Sequence, residues 1–336
     1  MPPMKKLARR LCLYVLVWSG VIAGLLVFGT ARPPPVDTAL TQPFASIDEH
    51  GLPPLRTYRA RDGAQLSFRE YPAGERRAAV LIHGSAGNSI DMHPLALALQ
   101  AAGVTVYVPD IRGHGADRPH GDIAYVGQLE DDLADLMRTV RPEQGAAEWT
   151  LVGFSSGGGF ALRVAAERPL GQSFDRYILL SPYLKYNAPS LRGRDEPAPG
   201  APAGSAARVQ AWTAVSTGRI IGLTMLNALG VHHWDGLPVV SFAVPANVSA
   251  VTASYSWRLT RNFAPHADYL GDIRAVSRPM HVYVGAADQL FVADRMRAEF
   301  QAQRPDIAVS TVPGMGHSDM VTRPAAISAV VAEFSR

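Results

Sequence analysis

The stretch from Glu148 to Arg163, Glu-Trp-Thr-Leu-Val-Gly-Phe-Ser-Ser-Gly-Gly-Gly-Phe-Ala-Leu-Arg, leaves few folds open to the chain. Trp149 to Val152 is short, apolar and β-prone, and from Ser156 small residues lead into a helical pattern. Between them, Gly153-Phe154-Ser155-Ser156-Gly157 matches Gly-x-Ser-x-Gly in a strand–turn–helix setting. A serine at the tip of so sharp a turn sits in strained backbone, and bulky side chains two positions to either side would collide. The turn lifts Oγ clear of the sheet and aims it at a neighbouring base. It also leaves the Ser156 N–H at a helix N-terminus, free to meet an oxyanion. Alone, the pentapeptide fits an ordinary Gly/Ser loop equally well, so the rest of the chain must decide.

A chain of 336 residues with 47% hydrophobic content can bury one large core. The net charge is +3, but the first 32 residues hold Lys5, Lys6, Arg9, Arg10 and Arg32 and no acid. The remainder is therefore near −2, and the basic balance is poor support for nucleic-acid binding. Cys12 is the only cysteine, which excludes an intrachain disulfide framework and a cysteine-ligated zinc site.

Residues 11–28 carry no charge and follow a basic leader. Eighteen helical residues rise about 27 Å, close to the hydrocarbon thickness of a bilayer. The reading is an uncleaved signal anchor at residues 1–31, N-terminus cytoplasmic and the remainder on the outer, periplasmic or extracytoplasmic side. The competing reading is a cleaved signal peptide and a secreted product, with Gly29-Thr30-Ala31 as a weak cleavage site. Residues 32–55, with Pro33-Pro34-Pro35 and Pro53-Pro54, read as a proline-rich extended stalk.

Beyond the stalk, residues 56–61 and 66–71 around Asp62-Gly63 predict a hairpin. Apolar runs at 78–82, 104–108, 149–152, 177–180, 280–284 and 307–312 predict buried strands. Helical patterns lie at 92–102, 126–140, after Ser156, at 291–303 and at 325–334. This alternation predicts an α/β fold, a mostly parallel sheet with helices on both faces, built from residues 56–181 and 266–336. Residues 182–265 interrupt it: 187–207 read as a mobile loop, 218–229 as a helix, and 237–257 as apolar and aromatic. An insertion of that length reads as a cap over an active site; the alternative is a surface excursion without catalytic consequence.

Serine chemistry on this architecture needs an acid and then a histidine later in the chain, at carboxyl ends of parallel strands. Asp288, in Gly285-Ala-Ala-Asp288, and His317, in Gly316-His317, each directly follow a predicted core strand in that order. His232 and His233 fall in the insertion, His266 just beyond it, and Asp272 in a polar connection; Asp319 belongs to the His317 loop. His317 would take the Ser155 proton and return it to the leaving group, and Asp288 would fix the imidazole tautomer. The Ser156 N–H and the Ser85 N–H, the latter after His83-Gly84, are the candidate oxyanion donors. His83 and the loop Asp110-Ile-Arg-Gly-His-Gly115 read as architectural.

Taken in order, His83-Gly84, Asp110-x-Arg-Gly-His-Gly115, Gly153-x-Ser-x-Gly157, Gly285-x-x-Asp288 and Gly316-His317 resemble the α/β-hydrolase superfamily. The likeness spans roughly residues 56–336 and is greatest to the serine-aminopeptidase and lysophospholipase-like branch that includes monoacylglycerol lipases. The resemblance implies hydrolysis of an ester, thioester or amide through an acyl-enzyme, without metal or organic cofactor, and a cap that fixes substrate. Residues 182–262 hold seven basic residues against Asp195, Glu196 and Asp235, which favours an acyl chain with a neutral or anionic head group over a cationic amine. The expectation is a membrane-tethered esterase of lipophilic, monoacylglycerol or lysophospholipid type. Aminopeptidase, amidase or perhydrolase action on the same residues stays open, as does a ligand-binding module on a hydrolase scaffold. Acyl length, head group and oligomeric state are not legible.

Overall fold

The computed structural model describes residues 2–74, 76–145, 148–193, 196–197, 199, 211–245 and 251–335. Arg194, Asp195, Arg208 and most of the 187–207 stretch lie outside them. Eleven strands are described: β1 (Leu55–Arg59), β2 (Gln65–Tyr71), β3 (Arg77–Ile82), β4 (Thr105–Pro109), β5 (Glu148–Phe154), β6 (Arg176–Leu180), β7 (Thr213–Val215), β8 (Pro238–Phe242), β9 (Ser254–Ser256), β10 (Met280–Gly285) and β11 (Ala308–Val312). Eight of them form one sheet in the order β1-β2-β4-β3-β5-β6-β10-β11. β1 and β2 make an antiparallel hairpin, and β2 meets β4 antiparallel; the other pairs are parallel.

The central strands read as unbroken apolar runs because both faces are covered. In β3, Val80 and Ile82 point into one core and Ala79 and Leu81 into the other. Helices α4 (Gln128–Gln144), α5 (Ser156–Ala166), α8 (Tyr269–Ala275) and α9 (Ala293–Gln303) fill the first face with Leu133, Leu136, Phe160, Ile273 and Phe300. Helices α3 (His93–Ala101), α10 (Asp319–Thr322) and α11 (Pro324–Val331) fill the second with Leu95, Leu99, Met320 and Ile327. From β3 the chain moves to β4 on one side and returns to β5 on the other. Sheets of this kind bind ligands where the order reverses, at the carboxyl ends of the strands.

The insertion carries a small antiparallel sheet, β7-β8-β9, and helices α6 (Thr217–Ala228) and α7 (Trp257–Asn262). Leu223, Val239 and Trp257 form its own apolar centre. Its first part is not a free loop: Arg192 N–H donates to Leu290 O at 2.8 Å and Val292 N–H to Ser190 O at 2.8 Å, tying 188–192 to the segment after β10.

Helix α1 (Pro2–Phe28) contains, at Ala8–Phe28, the one described helix long and apolar enough to cross a membrane by length and composition. Its end meets α6, where a Cβ on Gly29 would lie 2.6 Å from the Arg219 nitrogen. Arg219 N–H donates to Gly29 O at 3.1 Å and Arg219 Nε to Leu26 O at 3.0 Å. The stalk expectation is corrected here. Residues 32–55 are not extended throughout, because Asp37 caps a helix, α2 (Thr38–Ala45), by accepting from Ala39 N–H at 3.0 Å. The Pro43 ring leaves the helix intact at the cost of one backbone hydrogen bond.

Candidate active site

Ser155 follows β5 directly and adopts φ 53°, ψ −118°, a left-handed conformation that side chains rarely take. The turn is held from several sides: Ser155 N–H donates to Leu180 O at 2.9 Å, while Ser155 O accepts from Gly159 N–H and Tyr183 N–H. Glycine is required around it. A Cβ on Gly153 would lie 2.2 Å from Gly157 O, and one on Gly157 would lie 2.4 Å from His83 O.

Asp288 and His317 leave the adjacent parallel strands β10 and β11, paired through Gly285 and Val312. Ser155 Oγ lies 3.0 Å from His317 Nε2, and His317 Nδ1 lies 3.0 Å from Asp288 Oδ2. All three side chains are buried, Asp288 completely. The other carboxylate oxygen, Oδ1, accepts from Leu290 N–H at 2.8 Å and Phe291 N–H at 2.9 Å. Burial pushes the Asp288 carboxyl up, but its interactions with His317 and the Leu290 N–H outweigh burial and hold it below the usual range. An ionised Asp288 on Nδ1–H leaves Nε2 as the lone-pair nitrogen facing Ser155, the arrangement that accepts a hydroxyl proton.

The imidazole is packed as well as bonded. Phe154 lies against it at 4.8 Å between ring centroids, and Phe291 meets it edge-on at 5.3 Å. Its loop is fixed by His317 N–H donating to Gln289 Oε1 at 2.8 Å and Gly316 N–H donating to Asp319 Oδ2 at 2.7 Å.

The second expected donor loop abuts the elbow. Ile82 pairs with Gly153, and a Cβ on Gly84 would lie 3.2 Å from Ser155 Cβ. The Ser85 and Ser156 hydroxyls hydrogen-bond to each other. Beneath the loop, Ile111 N–H donates to His83 Nε2 at 3.1 Å, so the Nδ1 proton serves Gly84 O at 2.8 Å. Burial pushes both His83 and His114 down, and these imidazoles stay neutral. Asp110 accepts from Ser89 and Ala116 N–H, and Arg112 pairs with Asp132 and Asp62, which holds the 110–115 loop at the rim.

Tyr255, from the insertion's β9, is a contributor that sequence reasoning missed. Its hydroxyl accepts from Ala86 N–H at 2.8 Å and lies 2.6 Å from His114 Nε2. Nδ1 of His114 donates to Ile111 O, so Nε2 is the acceptor for the phenol proton. Thr252 adds N–H to Ala86 O at 3.0 Å and Oγ1 to Gly113 O at 3.0 Å. The sequence signal was available in part: a buried tyrosine needs a partner for its hydroxyl.

The described basic residues of the insertion have structural partners. Arg258 pairs with Asp122, Arg192 bonds to Asp288 O, Arg219 to Leu26 O and Pro238 O, and Lys185 to Ala267 O. Arg261 lies over Trp257. The excess of basic residues therefore does not translate into a free cationic lid among the described residues. Glu130, Glu167 and His266 bring potential metal-ligand atoms within 4.8 Å of one another. Arg163 pairs with Glu130, and His266 also binds Asp272, so the cluster already carries its own cations as an ion-pair network.

A mostly parallel sheet with this strand order, an elbow serine and an acid and a histidine on adjacent strand ends define an α/β hydrolase. The profile of the family described as Serine aminopeptidase, S33 matches residues 74–321, and the chain belongs to that family. Among curated proteins it is similar to the sn-1-specific diacylglycerol lipase ABHD11 of Mus musculus, 26% identical over 253 aligned residues covering 71% of this chain and 75% of that one. Among solved structures, a soluble variant of monoglyceride lipase from Saccharomyces cerevisiae superposes with TM-score 0.61 at 16% identity, covering 84% of this chain and 93% of that one. The monoacylglycerol lipase of Paleococcus ferrophilus gives TM-score 0.56 at 19% identity, over 80% and 98%. At these identities the structural likeness concerns the fold.

Proposed function

We propose that this protein is a membrane-tethered serine esterase that cleaves lipophilic carboxylic esters of monoacylglycerol or lysophospholipid type. The observation that carries the reading is the hydrogen-bonded chain Ser155–His317–Asp288, at 3.0 Å for each link. Ser155 Oγ attacks the ester carbonyl as His317 Nε2 takes its proton. The carbonyl oxygen, now an anion, is received by the N–H groups of Ser85 and Ser156. His317 returns the proton to the leaving alcohol, and water, activated by the same imidazole, releases the acid from Ser155.

Esters are favoured over aminoacyl amides because an aminopeptidase holds a free ammonium with a carboxylate. The described acids of the insertion are otherwise engaged: Asp235 with Asn227 and His232, Glu196 with Arg295. The mouse relative's name, a diacylglycerol lipase, and those of the lipase structures support a lipid ester as substrate. Helix α1 supports the tether, and the basic leader supports a cytoplasmic N-terminus with the hydrolase on the far side.

The test is a panel of acyl esters of increasing chain length, run on the full chain in detergent with Ser155→Ala as blank. Ester turnover that depends on Ser155 and rises with acyl length is expected. Aminoacyl amides cleaved as fast as neutral esters would overturn the ester reading. Absence of fluorophosphonate labelling at Ser155, where a control hydrolase labels, would favour a binding module. Alkaline carbonate should leave the protein with the membranes; a soluble form lacking residues 1–31 would instead show a cleaved signal.

A further inference from the structure

A tether between an anchor and a catalytic domain has no reason to bury side chains or to bond to the site, yet residues 37–50 do both. Asp37 N–H donates to Ala243 O, at the end of the insertion's β8, at 2.9 Å. Three residues on, Leu40 is only 2% exposed, and its carbonyl accepts the Ser318 hydroxyl at 2.7 Å across 278 residues of sequence. Ser318 is the neighbour of His317. One helical turn further, the Phe44 ring lies 6.1 Å from that of Phe154, which itself packs on the His317 ring. Past α2, His50 O accepts from His93 Nε2 at 3.2 Å, at the start of α3. The segment therefore runs from the insertion, across the histidine loop, to α3 on the same face of the sheet as α10.

We infer that residues 37–50 are a strap belonging to the active site, with Phe44 and Ser318 as positioning residues for the His317 imidazole. The inference rests on the reading of Ser155 and His317 given above. The physical argument concerns freedom of the ring. Its bond to Asp288 fixes one edge, and Phe154 and Phe291 fix its plane. Phe154 is held in turn by Phe44, and the loop carrying the imidazole is held by the Ser318–Leu40 bond. Removing Phe44 uncovers Phe154 and admits water beside the imidazole; removing the Ser318 hydroxyl frees the loop from α2. A general base displaced by a fraction of an ångström loses rate without losing substrate affinity.

The experiment compares Phe44→Ala, Phe44→Leu and Ser318→Ala with wild type, all as full chains in the same detergent. The measurements are kcat and KM on one ester, the rate of fluorophosphonate labelling, melting temperature, and the NMR chemical shift of the His317 Nδ1 proton. Asp288 is the charged group bonded to that ring, and it is unchanged in every variant. Phe44→Ala and Ser318→Ala are expected to lower kcat and the labelling rate about tenfold at nearly constant KM. A wetter site weakens the Nδ1–H bond to Asp288, so the NMR resonance of that proton should move upfield and broaden in Phe44→Ala. Phe44→Leu, which still covers Phe154, should recover most of the rate. Unaltered labelling and an unmoved His317 Nδ1 proton resonance in both Phe44→Ala and Ser318→Ala would overturn the strap, even if melting temperature fell. The resonance can be read whether or not an ester is cleaved. A wild type that cleaves no ester would refute the function, and a moved resonance would still support the strap.

Discussion

Ser155 and His317 meet at 3.0 Å, but they are held in different ways. Ser155 is held by the sheet itself. Backbone bonds to Leu180, Gly159 and Tyr183 surround it, and the glycines at 153 and 157 admit no side chain. His317 is held by side chains brought from elsewhere: Asp288 and Gln289 from the loop after β10, the rings of Phe154 and Phe291, and α2 through Ser318. The serine's position follows from the fold, whereas the histidine's is assembled from separate contacts. Substitutions near the serine should therefore act by displacing backbone, while those near the histidine should act by removing one contact at a time.

The largest effect tests the premise. Ser155→Ala should lower kcat about 10⁴-fold or more, and Asp288→Asn about 10⁴-fold, with substrate still bound. Equal KM values with kcat reduced less than tenfold would dissolve the distinction between the two sides, because neither group would then be essential. On the serine side, Gly84→Ala places a Cβ 2.9 Å from the Phe154 ring and 3.2 Å from Ser155 Cβ. It should cost about a hundredfold in labelling rate, because the loop must retreat from the elbow. Rates within twofold of wild type would show that the loop has slack the packing does not suggest.

Tyr255→Phe should have a smaller effect. It leaves Ala86 N–H and His114 Nε2 without a partner, which should cost about 1–3 kcal/mol of stability, measured by denaturant melting. The same variant should lose about tenfold in kcat, as the donor loop drifts.

The smallest expected effect lies away from the site. Hydrogen bonds to Asp272 and then Glu167, against burial, push His266 up to about 9. A group raised above its unfolded value near 6.5 stabilises fully below that value and ceases to do so as pH climbs through about 9. His266→Gln should therefore cost about 1 kcal/mol at pH 6, since a side chain more than a third exposed is screened, and almost nothing above pH 9.5. A pH-independent difference in melting would show that the ring acts by packing alone.

The serine side was legible in the sequence because its determinants are local: a strand, five residues and a helix, each with a period or a steric reason. Asp288 and His317 were legible for a related reason, since each stands at the end of an apolar run. The contacts that hold the histidine were not. Leu40 and Phe44 lie in a stretch whose prolines read as extended chain, and neither announces its partner: Leu40 meets Ser318, 278 positions away, and Phe44 meets Phe154. Tyr255 was visible as an aromatic in an apolar insertion, but its hydroxyl's two partners come from two distant loops. The basic residues of that insertion misled for the converse reason, because composition counts charges and cannot show that Arg258 already faces Asp122.

The clasp formed by Tyr255 and Thr252 on Ala86 has one further consequence. Ala86 follows Ser85, whose N–H is a candidate for receiving the negative oxygen, so a movement of the insertion would pull on that residue's loop. An insertion that swung aside for substrate would carry that loop with it and leave the site idle until it returned.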